Sequence, residues 1–212
     1  MLKVGLTGGI AAGKSVVGEM FVSLGAYLVQ ADRIAHSLMQ PGEIVYNDVV
    51  RHFGREILNR DGSINRSKLA EIAFGDPRMP AASRVSRIDE LNRIVHPAVI
   101  RSQDDWMTAI GIQDRHAIAI VEAALILEAG LSARFDKLVV VTCAEEQRAV
   151  RFAARQKVDL ETARNEVHRR MAAQLPDEEK VKAANYVIDN SGLLENTREQ
   201  VRKVWEALKA QA

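Results

Sequence analysis

The residues with the clearest chemical purpose stand near the start of the chain. Gly8, Gly9, Ile10, Ala11, Ala12, Gly13, Lys14 and Ser15 form a glycine-rich run closed by a lysine and a hydroxyl residue. They meet every fixed position of the pattern G-x-x-x-x-G-K-[ST]. Glycines at both ends let the backbone pass through conformations that a side chain blocks, so that N–H groups can turn inward around a polyphosphate. Lys14 supplies a point charge for the terminal phosphates, and the Ser15 hydroxyl is a ligand for Mg²⁺. The helical pattern that starts near Lys14 and runs through Val16 adds its positive end to the same cavity. An ordinary strand-to-helix turn would share the glycines. The difference lies in context, and both an apolar run before and a helical pattern after are present.

Such a loop needs a scaffold, and the hydrophobic pattern supplies one. Short apolar runs over 4–7, 27–30, 117–122, 138–142 and 186–189 read as buried strands, alternating with longer helical patterns. That alternation predicts an α/β fold, a parallel five-stranded sheet with helices on both faces. Ligands of such sheets bind beyond the carboxyl ends of the strands. Asp32 stands at one such end. It has two compatible readings, the N-cap of the helical pattern over 33–39 and a catalytic carboxylate facing the phosphate loop. Glu122 ends the third strand, where it either holds Mg²⁺, directly or through water, or simply closes the strand.

No strand is evident over 44–112. Helical spacing recurs over 45–53, 66–74, 83–94 and 98–110, with a turn at Asp61-Gly62 and a helix stop at Asp76-Pro77. This helical insertion reads as a substrate lobe. His96-Pro97 falls between two of the patterns and reads as a helix start with Pro97 at its first position. After the fourth strand come helical patterns over 145–157 and 160–173. Arg148, Arg151 and Arg155 share one face of the first, and Arg169 and Arg170 follow on the second. They form either a solvated face paired with Glu145, Glu146 and Glu166, or a mobile lid that brings planar cations to a moving phosphoryl group and excludes water. A closing helix over 193–210 turns Val201, Val204, Trp205 and Leu208 to the core.

Composition bounds the function classes. With 212 residues, 47% hydrophobic and 27% charged, the chain is an ordinary globular protein with a sizeable core. The 29 basic and 28 acidic residues leave a formal charge of +1, so nothing calls for nucleic acid or a membrane surface. The lone Cys143 excludes an internal disulfide, fits a reducing compartment and reads as a buried packing residue. No signal peptide or membrane-spanning run is evident, and the expected location is cytoplasmic.

Together these segments resemble the dephospho-coenzyme A kinase family, nearly from end to end. Leu6-Thr7-Gly8-Gly9-Ile10 and Gly13-Lys14-Ser15 are similar to the family's opening, and Ala31-Asp32 with the helix to Pro41-Gly42 to its second signature. Phe53-Gly54, Asp61-Gly62, Ile64-Asn65-Arg66, Leu69 with Phe74, Ile94-Val95-His96-Pro97 and Leu125-Ile126-Leu127-Glu128 follow in order. Gln147, Arg151, Arg155, Arg170 with Gln174 and Val187-Ile188-Asp189-Asn190-Ser191-Gly192 complete the correspondence. The resemblance implies transfer of the terminal phosphate of ATP, with Mg²⁺, to the 3′-hydroxyl of the ribose of dephospho-coenzyme A. It implies one P-loop kinase domain over 1–212 in the nucleoside-monophosphate-kinase manner, with a core of 1–34, 113–144 and 184–212, an acceptor lobe of 35–112 and a lid of 145–174. The first strand is expected at the centre, beside the third and fourth.

The same resemblance makes Asp32, with Lys14, catalytic. The loop 8–16, Arg151, Arg155 and Asn190 bind the nucleotide, with Asn190 near the adenine. Arg66, His96 and Leu125 are the expected acceptor contacts, and a monomer is the expected state, with an oligomer left open. Three positions depart from the family's pattern. Gln30 stands where an Asp is usual, Glu122 where Asp is usual, and Ala124 where Pro is usual. Rival readings are another P-loop small-molecule kinase, a nucleotide switch, for which no Asn-Lys-x-Asp motif is found, and a nucleotide-binding module that has lost catalysis.

Overall fold

The computed structural model describes residues 1–75 and 86–212. The expected helix stop at Asp76-Pro77 and the start of the 83–94 pattern lie outside the described residues. The chain divides into two compact units, one made of Met1–Gln30 with Met107–Ala212, the other of Ala31–Trp106.

The first unit is built on five parallel strands, β1 (Leu2–Gly8), β2 (Tyr27–Gln30), β3 (Ile118–Glu122), β4 (Lys137–Thr142) and β5 (Tyr186–Asp189), in the order β2-β3-β1-β4-β5. The central position of β1, beside β3 and β4, is the one the resemblance implied. Alternation along each central strand divides its side chains between two faces. Leu2, Val4 and Leu6 join Ile118, Ile120, Val139, Val141 and Ile188 on one face. Two helices cover it, α1 (Lys14–Ser23) through Val17 and Phe21, and α9 (Leu194–Lys209) through Val201, Val204, Trp205 and Leu208. Leu138 and Val140 point the other way, into a cluster with Ile126, Leu127, Leu131, Phe135 and Ala184. Burial on both faces is why the central strands β1, β3 and β4 read as continuous apolar runs.

Between β4 and β5 run α6 (Glu145–Gln156), α7 (Leu160–Ala172) and α8 (Asp177–Ala183). Asp159 caps α7 by accepting from Thr162 N–H at 2.8 Å. The short helix α8 has no counterpart in the sequence reading. Its signature is present nonetheless: Pro176 just before it, acidic Asp177, Glu178 and Glu179 in the first turn, and Lys180 and Lys182 in the last, the arrangement that a helix dipole favours.

The second unit is helical, with α2 (Ala31–Leu38), α3 (Ile44–Phe53), α4 (Arg66–Phe74) and most of α5 (Ile88–Gln113). Among the described residues its extended pairing is limited to an isolated antiparallel bridge between Leu58 and Ile64, beside the Asp61-Gly62 turn. Pro97 does not start a helix. It lies inside the 26-residue α5. A proline there removes one backbone hydrogen bond and costs about 3 kcal/mol. The buried stripe Val95, Val99, Gln103, Met107 and Ile110 runs on either side of it at helical spacing, and packing along that stripe outweighs the local break. A groove of about 820 Å³ opens on this unit, with Ile44, Asp48, Arg51, Arg93, Pro97 and Arg101 among its lining residues.

Candidate active site

The phosphate-loop residues occupy the turn between β1 and α1. Gly8 ends the strand at φ 150°, and a Cβ there would run into the Val141 carbonyl oxygen of the adjacent strand. Gly13 is left-handed at φ 93° and serves as the N-terminal cap residue of α1. Ala11 is also left-handed, at φ 52°, a conformation that a residue with a side chain adopts at some cost. The Lys14 ammonium donates to the carbonyls of Gly8 and Gly9 at 3.0 and 3.1 Å, so it arches back over the loop it closes. Ser15 and Val16 are exposed on the first turn of α1.

Two of the three departures meet in one hydrogen-bonded chain. The Ser15 hydroxyl donates to one oxygen of Glu122 at 2.7 Å, and the Gln30 amide donates to the other at 2.7 Å. Gln30 and Glu122 also face each other in the β2–β3 register. The carboxylate is buried, with 8% exposure. A buried carboxylate needs partners for both oxygens, and the two ends of this chain provide them. Among the described residues no three His, Cys, Asp or Glu side chains converge on a metal position. The Ser15 hydroxyl and the Glu122 carboxylate are hard oxygen donors of the kind Mg²⁺ takes together with phosphates and water.

Asp32 lies inside the first turn of α2 rather than at a cap position, because the helix begins at Ala31 directly after β2. Its side chain is exposed, and among the described residues it makes no hydrogen bond or ion pair. Arg66 and His96 are exposed on the helical unit, and Leu125 is 45% exposed after β3. None of the three lines the groove on the helical unit.

The arginines separate into different roles. Arg148 is fully buried, with Nε on the Cys143 carbonyl at 2.7 Å, Nη1 on the Ile10 carbonyl at 3.5 Å and Nη2 on the Asp177 carboxylate. Its burial has no signal in the sequence, since its place on the helix reads the same as that of Arg151. Arg151 donates to the Ala12 carbonyl at 3.4 Å and to the Asn190 carbonyl at 2.8 Å. Arg155 is exposed, 6.0 Å from the centre of the Phe152 ring. Of the expected glutamate partners, Glu146 pairs with Arg164, and Glu166 with Arg169 and Arg170. The hydrogen bond from Arg169, strengthened by Arg170, holds the Glu166 carboxyl down at about 2. Phe152, Ala163 and Val167 form a small apolar cluster on which Ile10 and Ala11 pack, joining α6 and α7 to the loop.

Cys143 is buried, as its apolar surroundings implied, and burial raises its thiol above the ordinary value despite nearby Arg151 and Arg148. Asn190 is 3% exposed. Its amide nitrogen donates to the Ala12 carbonyl at 2.8 Å, and its amide oxygen accepts from the buried Thr197 hydroxyl at 3.0 Å.

A loop of this geometry, with a lysine arched over it and a hydroxyl tied to a strand-end carboxylate, can hold a nucleotide polyphosphate and a divalent cation. Comparison with known proteins agrees. The sequence model of a family described as dephospho-CoA kinase matches residues 2–196. The chain is 42% identical over 201 residues to a dephospho-CoA kinase of Syntrophotalea carbinolica, covering 95% of this chain and 89% of that one. It is 38% identical to a dephospho-CoA kinase of Aquifex aeolicus, covering 98% of each. A solved structure from Thermus thermophilus superposes with a TM-score of 0.78 at 29% identity, covering 98% of this chain and 97% of the other.

Proposed function

Because the chain belongs to the dephospho-CoA kinase family, whose reaction is the last step of coenzyme A synthesis, we propose the following division of labour among its residues. The loop 8–16 cradles the phosphates of ATP. Lys14 neutralises charge on the terminal phosphates as the terminal phosphoryl group leaves ADP for the 3′-hydroxyl oxygen of dephospho-coenzyme A. Mg²⁺ would supply positive charge to the phosphate oxygens. Ser15 is its ligand, and Glu122, held by Gln30, acts beside it.

The carrying observation is the chain Ser15–Glu122–Gln30. It ties the hydroxyl of the phosphate loop to the end of β2, two residues before Asp32. Asp32 aligns the acceptor hydroxyl and takes its proton late in a loose transition state. Its exposed carboxylate, without a hydrogen-bond or ion-pair partner among the described residues, supports that role. We assign acceptor binding to Arg66 and His96 of the unit Ala31–Trp106 and to Leu125. The segment 145–174 is the lid. Within it, exposed Arg155 faces the phosphates, while Arg151 reaches the loop through Ala12. No described helix is long and apolar enough to cross a membrane. We assign the enzyme to the cytoplasm, as a monomer with an oligomer left open.

A coupled ADP-release assay tests the reading, with dephospho-coenzyme A set against adenosine, AMP and no acceptor. ADP release that requires dephospho-coenzyme A and Mg²⁺ is expected. Equal release with every acceptor would overturn the acceptor assignment. ATP binding without turnover on any acceptor would mark a module that has lost catalysis.

A further inference from the structure

The family resemblance places Asn190 beside the adenine, yet the residue's own bonds point elsewhere. Each end of its amide is engaged inside the protein. The Ala12 carbonyl can only accept, so the amide nitrogen must face it, at 2.8 Å. That orientation leaves the amide oxygen for Thr197, whose hydroxyl donates to it at 3.0 Å and whose side chain is fully buried. The Asn190 backbone is engaged as well. Its N–H donates to the Thr142 carbonyl at 2.9 Å, and its carbonyl accepts from Arg151 Nη2 at 2.8 Å. Arg151 Nη1 converges on the same Ala12 carbonyl from 3.4 Å. At 3% exposure the side chain has little surface left for a ligand. It is also packed so close to Gly13 that a Cβ there would collide with its amide nitrogen.

A trans peptide carries its carbonyl and its N–H on opposite sides, and the described peptides include no cis bond. Two donors hold the Ala12 carbonyl toward Asn190 and Arg151. The N–H of Gly13, on the same peptide plane, is thereby turned away from them. We propose that Asn190, braced by Thr197 and assisted by Arg151, is a positioning residue of the phosphate loop. It sets the 12–13 peptide so that the Gly13 N–H faces the bound polyphosphate, and it does not read the base. A single reversed peptide would present a carbonyl oxygen to an anion, so the clasp acts on charge recognition. This inference rests on the reading of residues 8–15 as the phosphate cradle.

The test separates phosphate recognition from base recognition. Binding of Mg²⁺–ATP, Mg²⁺–GTP and inorganic tripolyphosphate is measured by calorimetry for the wild type, Asn190→Ala and Thr197→Val. Asn190→Ala removes both side-chain bonds and is expected to weaken tripolyphosphate and ATP by the same factor, about tenfold for the lost buried hydrogen bond to the loop, with the ATP-to-GTP ratio unchanged. Thr197→Val keeps the side-chain shape and frees the Asn190 amide. It is expected to move the same affinities in the same direction by a smaller factor, and it carries the test if Asn190→Ala does not fold. A changed ATP-to-GTP ratio with unaltered tripolyphosphate affinity would overturn the proposal in favour of base contact. Unaltered tripolyphosphate affinity in a folded variant would overturn it as well. A wild-type chain that binds no tripolyphosphate would instead refute the cradle reading on which it rests.

Discussion

Replacing Glu122 by Gln asks whether its carboxylate is a fastener or an electrostatic participant. Both carboxylate oxygens accept, one from Ser15 and one from Gln30, at 2.7 Å each. A glutamine has the same shape and can keep both contacts. Its amide nitrogen can face Gln30, whose own amide then flips to accept, and its oxygen still accepts from Ser15. Each charge-assisted bond weakens by about 1 kcal/mol, and the loss is offset by no longer burying a charge at 8% exposure. Glu122→Gln should therefore fold within about 1 kcal/mol of the wild type, a melting shift of roughly 2–4 °C for a chain of this size.

Glu122→Ala is the contrast. It removes both bonds and strands the Gln30 donor, costing about 2–4 kcal/mol, or roughly 5–15 °C. If the negative charge serves the cation held by Ser15, Glu122→Gln should lower apparent Mg²⁺ affinity in turnover by about 10- to 100-fold, the usual effect of losing a partner behind a metal ligand. The assay is ADP release across a Mg²⁺ titration at saturating ATP, with thermal melts of the same samples. A Glu122→Gln variant with wild-type Mg²⁺ dependence and turnover would refute the reasoning and leave Glu122 a strand-end fastener.

Three further outcomes are expected. Asp32→Asn should melt within a few degrees of the wild type, because a first-turn acid contributes only about 0.3–1 kcal/mol through the helix dipole, yet lose about 10²-fold or more in turnover; turnover within a few-fold of wild type would send the search for the base elsewhere. Amides of α6 and α7 should exchange more slowly with hydrogen isotopes once ATP and dephospho-coenzyme A are both bound, and equal protection in the two states would count against a closing lid. The depressed Glu166 carboxyl stabilises the fold fully above the ordinary value of 4.5 and progressively less as pH falls toward about 2; Glu166→Gln should flatten the acid limb of the stability curve over that window, and an unchanged acid limb would show that the Arg169 and Arg170 contacts add nothing there.

Much of the scaffold was legible in the chain because its causes are local. All five strands were visible as short apolar runs, the central β1, β3 and β4 most plainly, since a strand covered on both faces can carry little else. The phosphate loop was visible because its glycines and its Lys-Ser pair are consecutive. The buried stripe of α9 followed from helical spacing alone, and Val201, Val204, Trp205 and Leu208 are all in the core. Local signals misled where packing opposed them. Pro97 carries the mark of a helix start, and the stripe from Val95 to Ile110 carries the helix through it.

What only the tertiary structure decided is how distant side chains are paired, and that settles the chemistry offered at the site. Gln30 and Glu122 each looked like an isolated departure. The fold puts Glu122 at the centre of one chain with Ser15 and Gln30 at its ends, across sequence separations of 107 and 92 residues. Arg148 and Arg151 were indistinguishable as helix-face cations until one proved wholly buried against Asp177 and the other bound to a loop carbonyl. Asn190 reaches the loop across 178 residues. Sequence periodicity reports which face of an element turns inward. Which donor meets which acceptor depends on strand order and register, and those are set by the parallel crossovers that bring the ends of β2, β3, β4 and β5 beside a loop at the start of the chain.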